Sequence, residues 1–284
     1  MIFVNGHTEI GKVVLKTKDK DRLAAFYKEI IGLEVLANNA DTAVLGVGTK
    51  ELLEIVKVPH ATVPKQAKTG LYHTAFLLPS RASLGSFLHH MLESQYPLDG
   101  AGDHIYSEAF YFRDPDGNGI EVYADRPESE WQRDADGNLP MATNGVDGDG
   151  LLMEGAELDW YKAPEETKIG HIHLQVSDLE ATRDFYQGIL GFKITTEIPS
   201  ALFFAAGDYH HHIGTNIWAG RELPKLEATE IGLSFFTIET ESIEQLKEDL
   251  TKKSIAFQEN GEKTIILEDP NGITIEVIAT NYYM

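Results

Sequence analysis

GKVVLKTKDKDRLAAFYKEIIGLEV (residues 11–35) is answered later in the chain by GHIHLQVSDLEATRDFYQGILGFKI (residues 170–194). Asp19 matches Asp178, Phe26-Tyr27 matches Phe185-Tyr186, and Gly32 matches Gly191, each displaced by 159 residues. A constant displacement over a whole segment marks an internal repeat. Each copy opens with alternating apolar and polar residues, the period of a half-buried strand. The aspartate that follows suits a helix N-cap, and the Phe-Tyr pair falls on the apolar face of that helix. The glycine of IGL or LGF then ends the helix in the left-handed conformation.

A second repeat lies farther on. RDPDGNGIEVY (residues 113–123) matches EDPNGITIEVI (residues 268–278), each an Asp-Pro-x-Gly turn leading into a strand that carries a glutamate, Glu121 or Glu276. LYHTAFLLPSRASLGSFLHHML and IGLSFFTIETESIEQLKEDL precede them and read as strand, then helix. The expected fold is α+β, with four βαβββ-type units near residues 9–58, 70–125, 168–220 and 229–280. In chain order they divide into a first domain at 1–126 and a second at 168–284. RPESEWQRDADGNLPMATNGVDGDGLL, rich in Gly, Asp, Asn and Pro, marks 127–167 as a linker or ordered crossover.

Composition narrows the function. The 284 residues suffice for a sizeable core, and 42% are hydrophobic. A formal net charge of −21 disfavours nucleic acid and anionic membrane surfaces as partners. With no cysteine there is no disulfide, thiolate metal site or cysteine nucleophile. No apolar run is long enough to span a membrane and no signal-peptide pattern opens the chain, so a cytoplasmic protein is expected.

With these motifs the chain resembles the vicinal-oxygen-chelate superfamily, which includes glyoxalase I and the type I extradiol ring-cleaving dioxygenases. HIHLQVSDLEATRDFYQGILGF and the pair DPDGNGIEV and DPNGITIEV carry the resemblance, which covers nearly everything outside the linker. It implies βαβββ units paired into two cupped mixed sheets. A metal in the cup takes ligands from first and last strands. Gly102-x-His104, Phe110-Tyr111, Asp114-Pro115-x-Gly117 and Glu121 are similar, in order and spacing, to the extradiol dioxygenase signature. That resemblance implies Glu121 as an Fe(II) ligand, with His104 and Tyr111 over the substrate. Two imidazoles and a carboxylate on one face suit such an ion with open positions, and Mn(II) accepts the same ligands.

The position of a metal histidine in the superfamily's first strand is filled by His171 in the third unit and by His73 in the second. Lys12 stands there in the first unit, and Gly232 and Leu233 are expected at the place of His73 in the fourth. The fourth unit has Ile266 at the tyrosine position and so looks like a spare. Pairing the second unit with the third assembles His73, Glu121 and His171 as the metal set. The usual pairing of third with fourth would instead give His171, His212 and Glu276.

In extradiol enzymes a catalytic histidine stands at the start of a unit's last strand. Within GDYHHHIGTNIW, His212 fits this place best, with His211 the alternative. If His212 points inward, strand alternation turns His210, Asn216 and Trp218 inward too, lining a substrate pocket with His173. No role is expected of His7, His60, His89 or His90.

The expected function is Fe(II)-dependent extradiol cleavage of catechol or a substituted catechol by O₂. The alternatives are a glyoxalase-like metal-dependent lyase or isomerase and a hydroquinone-type ring-cleaving dioxygenase. The partners are then a small aromatic diol and O₂, with a homo-oligomer admissible.

Overall fold

A computed structural model describes residues 8–135, 139–241 and 243–280; His7 lies outside them. The four units contribute four strands each. The first holds β1 (Thr8–Thr17), β2 (Glu34–Asn38), β3 (Thr42–Val47) and β4 (Lys50–Lys57). The second holds β5 (Gly70–Leu78), β6 (Gly100–Asp103), β7 (Ser107–Arg113) and β8 (Gly119–Asp125). The third holds β9 (Lys168–Gln175), β10 (Lys193–Ile198), β11 (Ala201–Ala205) and β12 (Ile213–Asn216). The fourth holds β13 (Gly232–Thr240), β14 (Gln258–Glu259), β15 (Thr264–Glu268) and β16 (Thr274–Ala279).

These strands form two mixed eight-stranded sheets, ordered β14-β15-β16-β13-β1-β4-β3-β2 and β10-β11-β12-β9-β5-β8-β7-β6. Each sheet therefore takes one unit from either side of the crossover: first with fourth, second with third. Inside a unit the first and last strands run parallel, as in β5 with β8 and β9 with β12. The units meet through antiparallel seams, β1 with β13 and β5 with β9.

The repeated motifs form the turns and caps their residues suggest. Asp178 caps α4 (Leu179–Arg183), accepting from the amides of Glu180 at 2.8 Å and Ala181 at 3.2 Å. Asp19 does the same for α1 (Lys20–Phe26). Both helices continue through a wider π turn, and Gly32 and Gly191, each at φ 80°, follow. The Phe-Tyr pairs lie in the core, and each tyrosine hydroxyl reaches an Asp-Pro turn of the next unit. Tyr27 donates to Asp114 at 3.0 Å, and Tyr186 to Asp269 at 3.2 Å. Sequence-adjacent units are thus tied by buried hydrogen bonds, while the sheets join units across the crossover.

The crossover is ordered where it is described. Its helix α3 (Gly148–Gly155) packs on α2 (Arg81–Ser94) so closely that a Cβ on Gly85 would lie 2.0 Å from the Leu151 carbonyl oxygen. Residues 139–144 cross the rim of the second sheet. The Asp103 and Asn144 amides exchange hydrogen bonds with each other's carbonyls at 3.1 and 2.8 Å.

Candidate active site

Two lateral rows across the second sheet build the site. In the first, Tyr111 on β7 faces Glu121 on β8, Glu121 faces Ala75 on β5, and Ala75 faces His171 on β9. Directly paired residues share a face, so all four look into one cup. In the second row His73 lies between Gly119 and His173, and His173 faces Gly214 on β12. The small residues make space for the His173 ring and for close approach of the Tyr72 backbone. A Cβ on Gly214 would approach His173 Nδ1 to 2.9 Å, and one on Gly119 would approach the Tyr72 carbonyl oxygen to 2.1 Å.

His73, Glu121 and His171 converge there. Glu121 Oε2 lies 3.0 Å from His73 Nε2 and 3.1 Å from His171 Nε2, and the two Nε2 atoms are 3.3 Å apart. All three residues are buried. Burial alone would raise the Glu121 carboxyl, but the two imidazoles beside it hold it well below the usual range. Burial lowers His171 to about 4 despite Glu121, so the ring is neutral near pH 7 and offers a lone pair. The donor set fits a divalent ion. A six-coordinate ion with ~2.1 Å bonds sets neighbouring ligand atoms about 3.0 Å apart, close to the edges of this triangle. Among the described residues this is the group of three or more such side chains arranged to hold a metal.

A cavity of about 380 Å³ opens above the triad. His104 and Tyr111 line it together. The Ala142 carbonyl only accepts, so His104 Nδ1 donates to it at 2.7 Å. In the neutral ring Nε2 is then an acceptor, and the Tyr111 hydroxyl donates to it at 2.7 Å. Burial, and then Glu121, keep that phenol protonated by raising it well above its usual value. His173 and Trp218 also line the cavity.

The histidine triple is arranged otherwise than alternation suggests. His211 lines the cavity, its ring centroid 4.2 Å from that of His171. His212 does not: its Nδ1 accepts from the Ala206 amide at 3.1 Å and its ring lies against Tyr209. His210 turns from the cavity to Asp125, 3.0 Å from its Nε2, and Asn216 is buried in β12, capping the Trp218 amide. The reason is local: β12 begins only at Ile213, so 210–212 form an irregular connection in which a period of two does not apply.

The set His171, His212 and Glu276 is not assembled, because Glu276 lies in the other sheet. That second cup keeps the register with different chemistry. Glu276 faces Thr237 as Glu121 faces Ala75, which sets Phe235, not Gly232 or Leu233, at the place of His73. Lys12 fills the place of His171, its Nζ 3.0 Å from Glu51 and 2.7 Å from Glu54. A tethered ammonium thus satisfies this cup's carboxylates.

Several lining residues carry no sequence signal. Met141, Ala142 and Thr143 come from the crossover, where composition shows only a linker. Tyr72 was legible in principle, since it adjoins His73 and shares its strand.

Comparison with known proteins agrees with this architecture. Residues 9–122 and 168–277 match the Glyoxalase/Bleomycin resistance protein/Dioxygenase superfamily. The chain belongs to that superfamily. A Bacillus subtilis (strain 168) protein described as catechol-2,3-dioxygenase is 46% identical over 242 residues, 84% of this chain and 85% of that protein. This relationship sets the chain with the ring-cleaving dioxygenases of the superfamily as an enzyme. In fold it is similar to glyoxalase I from Zea mays, with a TM-score of 0.59 at 14% identity, covering 98% of this chain and 94% of the other. It is also similar to the cppA protein of Streptococcus pneumoniae TIGR4, with a TM-score of 0.56 at 14% identity and coverage of 96% and 99%. No helix among the described residues is long and apolar enough to cross a membrane.

Proposed function

We propose that this protein is an Fe(II)-dependent extradiol dioxygenase that opens the ring of catechol or a substituted catechol with O₂. The carrying observation is the buried triangle of His73, Glu121 and His171 beneath a cavity lined by Tyr111, His104 and His211. The 46% identity to a catechol-2,3-dioxygenase supports the same reading. Bound Fe(II) would be held by His73, Glu121 and His171, and would supply a centre that chelates the diol and activates O₂.

The chain's own groups then do the following. With its proton engaged by His104, the Tyr111 oxygen keeps lone pairs to accept from a substrate hydroxyl. The Ala142 carbonyl holds His104 in the tautomer that permits this. Asp125 accepts from His210 Nε2, so His210 Nδ1 accepts in turn from His211 Nδ1 at 2.7 Å. His211 Nε2 is left unprotonated in a ring that burial, and then the neighbouring imidazoles, hold well below its usual value, so it stays neutral and presents a lone pair to the proton of the diol. His173, neutral because burial pushes it well below its usual value, and Trp218 wall the pocket beside Tyr72.

The test is oxygen uptake by the Fe(II)-loaded protein with catechol. One O₂ consumed per catechol, with both oxygen atoms in a ring-opened hydroxy-aldehyde acid, is the expected result. No uptake by fully loaded protein would refute the reading.

A further inference from the structure

We propose, resting on the ring-cleavage reading above, that Arg126 is a positioning residue for that reaction. With Asp103 it holds Ile105 in a left-handed backbone, and the resulting turn aims His104 at Tyr111 and sets Tyr106 against His210. The turn joins β6 to β7, and His104, Tyr106 and Ser107 within it line the cavity. It closes on the His104 amide, which donates to the Ser107 carbonyl at 2.8 Å. Between these residues Ile105 takes φ 73°. A β-branched residue is an outlier in that region, because its Cβ crowds the following carbonyl oxygen. Such a conformation persists only where the surroundings over-determine it, and it concentrates at functional sites.

Here one ion pair does the holding. Arg126 Nη1 and Nη2 donate to the two Asp103 carboxylate oxygens at 2.7 and 3.0 Å, a two-point charge-assisted contact. Arg126 Nη1 also donates to the Ile105 carbonyl at 2.9 Å, and Asp103 Oδ1 accepts from the Ile105 amide at 2.8 Å. Both backbone polar groups of Ile105 are therefore tied to the same pair. Arg126 is anchored in turn. Its amide donates to the Tyr106 carbonyl at 2.8 Å, and its carbonyl accepts from Trp131 Nε1 at 2.9 Å.

The neighbours of Ile105 reach both arms of the site. On one side His104 Nε2 accepts from the Tyr111 hydroxyl. On the other, the Tyr106 ring stacks on His210, with centroids 4.7 Å apart and planes 25° apart, and His210 bonds His211. The backbone of Asp103 also binds Asn144, two residues from the Ala142 carbonyl that takes the His104 Nδ1 proton. Relaxing Ile105 to a negative φ would re-aim His104 and Tyr106 together, so one clamp sets both.

The experiment measures Arg126→Met in two ways: catechol turnover by the Fe(II)-loaded full chain, and the His104 tautomer by ¹⁵N NMR of the histidine-labelled, metal-free protein. The expected kcat is about 10–100-fold below wild type, with KM moved less than about threefold and iron content unchanged. The His104 signal, identified by its loss in His104→Gln, should change from a proton on Nδ1 alone to a mixture of tautomers. Asparagine tolerates the left-handed region, so adding Ile105→Asn should recover at least about threefold of the lost kcat. If Arg126→Met does not fold, Arg126→Lys, which keeps the charge without the planar fork, carries the same readouts. A kcat within about twofold of wild type, or a loss that Ile105→Asn does not recover, overturns the clamp. If the wild type leaves catechol intact, the ring-cleavage reading falls, and the His104 tautomer alone decides whether Arg126 positions that ring.

Discussion

Glu121 Oε2 stands 3.1 Å from His171 Nε2, although the crossover at 127–167 separates the two residues in sequence. The contact exists because β5 and β9 form the seam of the second sheet, with only the methyl of Ala75 between the two side chains in their row. The site therefore forms only when units on either side of the crossover pair.

If His171 holds the metal and His211 handles the proton, their variants separate. His171→Ala should lose iron binding and activity together. His211→Ala should keep its iron and lose about 10²–10⁴-fold in kcat. His212→Ala, outside the cavity, should fall far less in kcat than His211→Ala. Iron content by atomic absorption beside steady-state oxygen uptake checks all three.

Ala75 adds no ligand atom, yet its size matters. It is fully buried and faces both Glu121 and His171. Ala75→Leu would push a branched side chain into the row, and overpacking of this kind costs about 1–3 kcal/mol. Weaker Fe(II) binding with an intact ligand set is expected, read by competition with a chelator.

In the second cup, Lys12→Met should leave Glu51, Glu54 and Glu276 without their cation. Burial raises the Glu276 carboxyl, and Lys12 opposes that rise. Because Lys12 and its partners are partly exposed, the expected loss is modest, about 1–2 kcal/mol by urea unfolding at neutral pH. Iron content should stay at the wild-type level.

Acid should destabilise the metal-free protein before its carboxylates titrate. Burial, and then the neighbouring His210 and Lys168, lower His212 to about 3. The unfolded chain takes up this proton below about pH 6.5 while the folded chain refuses it, so stability falls as pH drops from there toward 3. His171, at about 4, acts in the same sense. His212→Asn should reduce the slope of unfolding free energy against pH by about 1.4 kcal/mol per unit over that window. Urea titrations at pH 6.5, 5.5 and 4.5 measure it.

Much of this was legible in the chain because the repeats fix it. Asp19 and Asp178, Gly32 and Gly191, and the two Asp-Pro turns announce four units, since caps and turns are set by local chemistry. His73, Glu121 and His171 could be read as one set because strand position determines the face each side chain takes. What failed was a local rule carried past its range: alternation from β12 was extended into 210–212, which turned His212 inward in place of His211. The Met141 wall was illegible for another reason. A crossover has no periodicity, and what it covers is decided by contacts far away in sequence, such as Asp103 with Asn144. The place of His73 in the fourth unit was misread by two to three residues, because only strand pairing reveals that Phe235 stands there.

Pairing of the second and third units should give one metal centre per chain. An anomalous difference map at the iron edge, from crystals loaded with Fe(II) without oxygen, tests it most directly. A single peak per chain within bonding reach of His73, Glu121 and His171 is expected. A peak beside Glu276 and Lys12, or no peak at the His73–Glu121–His171 triangle, would contradict it.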